Sequence, residues 1–161
     1  MKKIKLLALT IVMACFAGLA ANADTIGYVN YKTVEAGYSL AKQAYKELDA
    51  QYLEMQQYLM DKEKQYKNID SPLSKKNFEE AVQKDFKTKN DKFTELKLKK
   101  AEEVENNILA ATKAVAAYKN VDVVVDYRVL FTGGVDLTDD VLYYLNNNKK
   151  FKPAATKPTG K

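Results

Sequence analysis

Histidine is absent from the 161 residues of this chain, and cysteine occurs once, at position 15. Histidine is the side chain that titrates near neutral pH and the commonest metal ligand, and cysteine thiolates are the other usual zinc ligands. The sequence therefore excludes imidazole bases and Cys/His metal sites. Thiol chemistry and disulfides are excluded as well if Cys15 is removed with the segment that contains it.

Arginine is almost as rare, since Arg128 is the only one in the chain. Lysine supplies the remaining positive charge and no nucleic-acid recognition module is present, so we expect no nucleic-acid partner. No GxxxxGKS/T loop surrounds Gly133 and Gly134, which we interpret as a turn. Five aspartates between residues 122 and 140 could form a carboxylate pair, but strand edges and helix caps explain them better. We therefore predict no enzymatic activity, no cofactor and no metal.

The first 23 residues have the pattern of a secretory signal peptide. Three lysines precede an apolar stretch from Leu6 to Ala21, and residues 21–23 (Ala-Asn-Ala) form the small-x-small site that signal peptidase accepts. We expect cleavage before Asp24. An uncleaved anchor is disfavoured, because a span needs about 20 strongly apolar residues and this stretch is rich in Ala and Gly. A lipoprotein is a minor alternative, since the sequence around Cys15 loosely resembles a lipidation site.

A heptad pattern of side chains begins at Tyr38, and no proline interrupts it before Ser71. Its members are spaced alternately three and four residues apart, which is the repeat of a coiled coil. They are Tyr38, Ala41, Tyr45, Leu48, Tyr52, Met55, Leu59, Lys62, Tyr66 and Ile69. The pattern predicts a helix from Val34 to Asn68, roughly 50 Å long.

A second helix is predicted from about Pro72 to Tyr118. Ser71 followed by Pro72 is a suitable N-cap and first-turn pair, and apolar side chains keep three-four spacing from Ala101 to Tyr118. This helix would be roughly 70 Å long. Because only a short turn separates the two helices, they should form an antiparallel hairpin.

Short β-rich segments flank the two helices. Residues 25–30 precede them, and residues 121–126 and 129–132 follow them. A short helix should begin at Thr138, with acidic residues in its first turn. Since the strands come from opposite ends of the chain, closing the sheet would bring the helix ends together and leave the hairpin projecting outward.

The predicted fold class is therefore α+β, with a long antiparallel helical-hairpin (coiled-coil) tentacle that projects from a small β-containing body. The tentacle comprises residues 34–118, and the body comprises residues 24–33 and 119–145. Residues 146–161 are rich in Asn, Lys, Pro and Thr, and we predict a disordered basic tail there.

The hairpin and the two ends of the chain together resemble the Skp/OmpH family of periplasmic chaperones. One match is the Ile-Gly-Tyr-Val-Asn strand at residues 26–30, and another is the Val-Asp-Val-Val-Val-Asp segment at residues 121–126. The more specific match is Val-Asp-Leu-Thr-Asp-Asp-Val-Leu at residues 135–142, because the family typically has a hydrophobic-Asp-hydrophobic-Thr run before its last helix. The resemblance covers about residues 24–145.

The resemblance implies a homotrimer whose strands form a shared trimerisation body and whose three tentacles enclose a cavity. It also implies ATP-independent holding of unfolded outer-membrane proteins in the periplasm of a Gram-negative bacterium. A membrane or lipopolysaccharide surface is a partner described for some members, but no such site can be matched here residue by residue. A structural scaffold or spacer of the cell envelope is the alternative function of the same coiled coil.

Aromatic and methionine side chains on the helices are the candidate client-binding residues. They are Tyr52, Met55, Tyr58, Met60, Phe86 and Phe93. Aromatic rings give contact area at a low entropic cost, and flexible Met side chains suit surfaces that bind without sequence preference. The alternative is that most tyrosines of the heptad pattern only pack the hairpin, with their hydroxyls at its solvent edge.

The small size of the body predicts that copies of the chain associate. Three short strands and one short helix form too small a core to stand alone. Faces that carry Val123, Val125 and Phe131 would enlarge this core if they joined between copies.

The hairpin also carries a local excess of positive charge. Residues 61–100 contain 12 lysines against 8 acidic residues. This excess would attract acidic unfolded clients or membrane surfaces, with an attraction screened over about 8 Å at physiological salt. The alternative is a solvated helical surface with Glu/Lys pairs.

Overall fold

The structure of the chain is a computed structural model that describes residues 25–153. The predicted signal peptide, its lipidation alternative at Cys15 and the last eight residues of the tail lie outside this range. In the described part, two long helices carry most of the chain and a small sheet joins its two ends. None of the helices in residues 25–153 is long and apolar enough to cross a membrane.

The α+β class predicted from the sequence is confirmed. In chain order the elements are β1 (Ile26–Val29), α1 (Tyr31–Gly37), α2 (Ser39–Lys67), α3 (Pro72–Lys119), β2 (Val123–Asp126), a 3-10 turn (Tyr127–Val129), β3 (Val135–Asp136) and α4 (Thr138–Asn146). The long helices α2 and α3 form the antiparallel hairpin. Glu47 contacts Lys100, and Tyr66 contacts Phe78. Contacts further along α2 are therefore made with earlier residues of α3, as in an antiparallel pair.

The three strands form a parallel sheet in the order β2-β1-β3. Ile26 of β1 pairs with Val123 of β2, and Gly27 pairs with Val135 of β3. Asp122 fixes the start of the sheet, because its carboxylate accepts a hydrogen bond of 2.7 Å from the Thr25 N–H. Its own N–H donates to the Thr25 carbonyl over 2.9 Å. These bonds join the two ends of the folded chain.

The prediction of a strand at residues 129–132 is wrong. After β2 the chain makes a 3-10 turn, which Asp126 stabilises by accepting hydrogen bonds from the N–H and Nε of Arg128, at 2.9 and 2.8 Å. The third strand forms only at Val135, after Gly133 and Gly134, whose φ angles of 81° and 85° suit glycine. Val129 is 74% exposed and Phe131 is fully exposed, whereas Leu130 between them is half-buried.

The prediction of one unbroken helix from Val34 is also wrong. Helix α1 begins earlier, where the Asn30 side chain accepts a hydrogen bond of 3.2 Å from the Thr33 N–H, and it ends at Gly37. Tyr38 then has extended backbone angles (φ −73°, ψ 123°), and α2 starts at Ser39. The heptad pattern did not reveal this break, because Tyr38 at the break and Ala41 after it are both buried, as a continuous helix would also have them.

The predictions for the second and the last helix agree with the structure. Ser71 caps α3 by accepting a hydrogen bond from the Ser74 N–H over 3.5 Å, and Pro72 occupies the first turn. The helix ends at Lys119, and the next residue, Asn120, has the left-handed backbone conformation that often terminates helices. Helix α4 begins at Thr138 with two aspartates in its first turn, where they complement the helix dipole.

The hydrophobic core lies where the hairpin meets the sheet. Its members are Val29, Val34, Tyr38, Ala41, Ala44, Val104, Ile108, Ala111, Val115, Ala116, Val121, Leu137 and Val141. Burial of each Val, Leu or Ile in this set contributes about 1.5–3 kcal/mol. No residue between positions 45 and 103 is fully buried, so the outer part of the hairpin has no such core.

The beginning of the tail has a defined place. The Phe151 ring stacks on Tyr118 at the end of α3, with centroids 4.1 Å apart and planes within 8°. It also contacts Tyr144 of α4, with centroids 5.1 Å apart. Residue 151, which lies in the segment predicted to be a disordered tail, is therefore packed against the body.

We predict that Gly27→Ala lowers the free energy of unfolding by about 1–3 kcal/mol, the usual range for overpacking a core. A Cβ atom at this position would lie 2.8 Å from Val121 Cγ1 and 3.1 Å from Leu137 Cδ1. Urea unfolding followed by circular dichroism measures the change. Adding Val121→Ala removes the nearest atom, so the double variant should lose less stability than the sum of the two single variants. Strict additivity would contradict this account.

Candidate functional site

The contact face between α2 and α3 differs in detail from the predicted heptad seam. Leu48, Met55 and Lys62 are half-buried as expected, whereas the predicted members Tyr45 and Tyr52 lie at the edge. Tyr52 is 52% exposed. Ala44 and Tyr58, each three residues after a predicted member, are buried or half-buried instead. The contact face is therefore offset from the predicted seam, and this offset leaves the Tyr45 and Tyr52 rings on the flank of the hairpin.

A cavity of about 270 Å³ opens between the helices in the middle of the hairpin. We call it the mid-hairpin cavity; its lining is Gln51, Glu54, Met55, Thr88, Lys89, Lys92, Phe93 and Leu96. The Tyr52 ring lies beside it, with its centroid 6.5 Å from that of Phe93. The structure thus brings together three predicted residues, Tyr52, Met55 and Phe93, around one opening.

Tyr58 lies between two lysines. The ammonium groups of Lys62 and Lys89 are 5.4 and 5.0 Å from the centre of its ring, within the range of cation–π attraction. Burial and the negative charge of Asp85 raise the pKa of the Tyr58 hydroxyl. Its hydroxyl oxygen is buried beside Asp85, although no hydrogen bond of full geometry reaches it from the described residues.

The remaining two predicted residues lie elsewhere on the hairpin. Phe86 is half-buried, two helical turns before Phe93 and on the same face of α3. Met60 is exposed and lies roughly opposite Tyr58 around the axis of α2, since two positions of about 100° each separate them. Met60 is therefore not part of the mid-hairpin cavity.

A second cavity, of about 240 Å³, lies near the turn between the helices, and the sequence reasoning missed it. We call it the tip cavity; its lining is Leu59, Lys62, Glu63, Tyr66, Phe78, Glu79, Val82 and Gln83. Tyr66 and Phe78 form a ring pair with centroids 6.4 Å apart, close to the geometry of Tyr52 and Phe93. The spacing of Phe78, Val82 and Phe86 along one face of α3 was the signal that could have revealed it.

The lysine excess is only partly neutralised by ion pairs. Lys100 reaches across the hairpin to Glu47 over 2.8 Å. Along the helix surface, Lys64, Lys67 and Lys87 pair with acids three or four residues away. In the part of the chain that the structure describes, Lys84, Lys92, Lys97 and Lys99 form no ion pair within 4.0 Å and leave positive charge along α3.

The outward face of the sheet is apolar. Ile26 and its register partner Val123 are both nearly half exposed, and Val125 is half-buried in the same strand. Phe131, in the loop after β2, is fully exposed. Val123 and Val125 thus lie in the strand that pairs with Ile26, and Phe131 is exposed in the loop that follows.

The surfaces described above offer a partner apolar contacts and positive charge. Residues 25–153 contain no group of three or more acidic side chains placed to hold a metal ion. Four of the five aspartates between residues 122 and 140 have hydrogen-bond or ion-pair partners, and Asp139 lies in the first turn of α4. Asp136 accepts a hydrogen bond from the Thr138 N–H, and Asp140 pairs with Lys119 over 3.0 Å.

We predict that the Tyr45 hydroxyl ionises only at high pH. It donates a hydrogen bond of 2.7 Å to Glu35, and this bond, burial and the carboxylate charge raise its pKa from 10 to about 12. The stabilisation by this bond should be complete below pH 10 and lost as the pH rises through 12. Tyrosinate absorbance of the folded protein minus that of Tyr45→Phe should titrate near 12. Glu35→Gln should lower that midpoint, and an unchanged midpoint would contradict the assignment.

Comparison with known proteins agrees with this architecture. A family model described as "Outer membrane protein (OmpH-like)" matches residues 25–145, which include every helix and strand except the last residue of α4. No curated protein matches the chain. The family consists of chaperones of outer membrane proteins and is periplasmic, which supports a general chaperone role rather than an enzymatic one. The chain belongs to the OmpH-like family.

Proposed function

We propose that this protein is an ATP-independent holding chaperone of the periplasm. It binds unfolded outer-membrane proteins along its hairpin and prevents their aggregation before they insert into the outer membrane. The observation that carries the proposal is the incomplete packing of the outer hairpin. No residue between positions 45 and 103 is fully buried, and two cavities with aromatic walls open along this part.

Partly exposed side chains can give affinity without sequence preference. Tyr52, Met55 and Phe93 border the mid-hairpin cavity, and Tyr66 and Phe78 border the tip cavity. Each opening is large enough for one or two apolar side chains of an extended polypeptide. Many such weak contacts add up when they act on one client chain at once. An unfolded membrane protein, which is rich in apolar residues, is therefore a suitable client.

Positive charge would assist the first encounter. Lys92 lines the mid-hairpin cavity, and Lys84, Lys97 and Lys99 lie elsewhere on α3. None of the four makes an ion pair in the described residues. Long-range attraction speeds association with acidic chains and weakens as salt is added. This contribution concerns the rate of capture, since the apolar contacts hold the client afterwards.

The proposal includes a homotrimer formed through the body. Ile26 and Val123 of the sheet are nearly half exposed and Phe131 is fully exposed, so the described residues leave this apolar surface partly uncovered. An apolar face of this kind on a small body favours association with further copies. Three copies would place three hairpins around a shared space in which a client could contact several hairpins.

The client-binding test uses a urea-unfolded outer-membrane β-barrel protein. After dilution of the urea without ATP, the chaperone should form a soluble complex and suppress light scattering by the client. Phe78→Ala with Phe93→Ala, one substitution in each cavity, should weaken binding about tenfold, a loss of about 1.4 kcal/mol. Leu98→Ala is the matched control, because Leu98 is exposed on α3 but lies outside both cavities.

Two outcomes would count against the holding function. If the double variant and the Leu98 control bind as tightly as the wild type, the cavities do not carry the affinity. If the wild-type protein stays soluble while the client aggregates, the structural scaffold of the cell envelope becomes the better explanation.

The association test places a charge on the proposed joining face. Val123→Asp and Phe131→Asp should each shift the assembly towards single chains, because an unpaired charge in an apolar contact is costly. Sedimentation equilibrium measures the mass. Leu53→Asp on the exposed side of α2 is the control and should leave the mass unchanged. A trimer that survives both body substitutions would refute this placement of the interface.

A further inference from the structure

The break between α1 and α2 leaves backbone groups that need partners. The first N–H groups of any helix lack carbonyl partners inside the helix, and a side chain of the N-cap residue usually supplies one. Tyr38 occupies the N-cap of α2, and its side chain makes no capping hydrogen bond. The start of the outgoing helix therefore depends on a group from another part of the chain.

The side chain of Asn146 supplies that group from the other end of the fold. Its Oδ1 accepts a hydrogen bond of 2.9 Å from the N–H of Ser39, the first residue of α2. Its Nδ2 donates a hydrogen bond of 3.1 Å to the carbonyl of Gly37, the last residue of α1. One amide thus bonds to both sides of the break. An acceptor and a donor are both needed, which an aspartate or alanine cannot provide.

Asn146 is itself held on the body. It is the last residue of α4, and Leu142 of this helix lies so close to Gly37 that a Cβ atom there would be 2.6 Å from Leu142 Cδ2. The Thr138 hydroxyl accepts a hydrogen bond of 3.0 Å from the Asn30 N–H at the start of α1. Helix α4 and helix α1 therefore form one platform, and Asn146 extends from this platform to α2.

The two helices of the hairpin differ in how they are attached. Helix α3 is continuous from Pro72 to Lys119 and enters the core with Val104, Ile108 and Val115. Helix α2 has only Ala41 and Ala44 in the core and begins at the break. In the outer hairpin no side chain is fully buried, and partly exposed contacts such as the Lys100–Glu47 ion pair align α2 with α3. At its root, α2 is held mainly by the two alanines and by the contacts at the break.

We propose that Asn146 is a positioning residue that anchors α2 at the root of the hairpin and limits its movement relative to α3. The mid-hairpin and tip cavities are both formed between these helices, so the anchor also sets their width and thereby how firmly they hold a client. The effect on client binding rests on the proposed holding function, whereas the anchoring itself does not.

Hydrogen–deuterium exchange of the exported protein tests the anchor without any client. In Asn146→Ala, the hydrogen-bonded amides among residues 39–42, those of Ser39 and Lys42, should exchange about tenfold faster, the size of effect expected for the loss of a helix cap. Asn146→Asp keeps an acceptor for the Ser39 N–H and should restore part of the protection. Asn147→Ala is the matched control, because within residues 25–153 the Asn147 side chain bonds to the Tyr143 carbonyl of α4 and not to α2.

Unchanged exchange at residues 39–42 in Asn146→Ala would overturn the proposal, and so would equal acceleration in Asn147→Ala. A second measurement concerns the unfolded β-barrel client. Its complex should dissociate several-fold faster from Asn146→Ala than from Asn147→Ala. Equal dissociation rates would overturn the link between the anchor and the cavities. A wild-type protein that binds no client would overturn the holding function and leave the exchange result standing.

Discussion

The parallel pairing of β1 with β2 is the constraint on which the rest of the structure depends. It joins Ile26 to Val123 and fixes Thr25 to Asp122, two segments almost one hundred residues apart. Parallel strands cannot be joined by a tight turn and need a long crossover. Here the crossover consists of α1, α2 and α3, and most of it extends away from the sheet. The projecting hairpin is therefore the connection that this pairing requires.

The same constraint concentrates the core at one end. Near the sheet, α1, α3 and α4 surround Val34, Leu137 and Val141, which are fully buried. Further out, only two helices are present, and two helices cannot enclose a side chain on all sides. The body therefore supplies most of the stability, while the outer hairpin keeps partly exposed apolar surface. Apolar surface exposed in this way would make an ordinary folded domain less stable, but a protein that binds unfolded chains requires it.

The sequence predicted the features that depend on local chemistry and missed those that depend on distant contacts. Ser71 with Pro72 predicted the start of α3, and the three-four spacing predicted the hairpin. The break at Tyr38 could not be predicted, because its capping group is Asn146, more than one hundred residues away. Residues 129–131 have strand composition, but the Asp126–Arg128 turn and the absence of a neighbouring surface keep them out of the sheet. Their exposure is informative only once the fold is known.

Polar residues in the hairpin contact explain why the cavities persist. Lys62 and Lys100 are half-buried between the helices, where Lys62 contacts the rings of Tyr58 and Phe78 and Lys100 pairs with Glu47. A lysine in a coiled-coil seam fixes the register at a cost in stability. It also keeps the helices from closing into a dry contact, because its charged group must remain near water. The hairpin is thus aligned by charges while its apolar walls stay accessible.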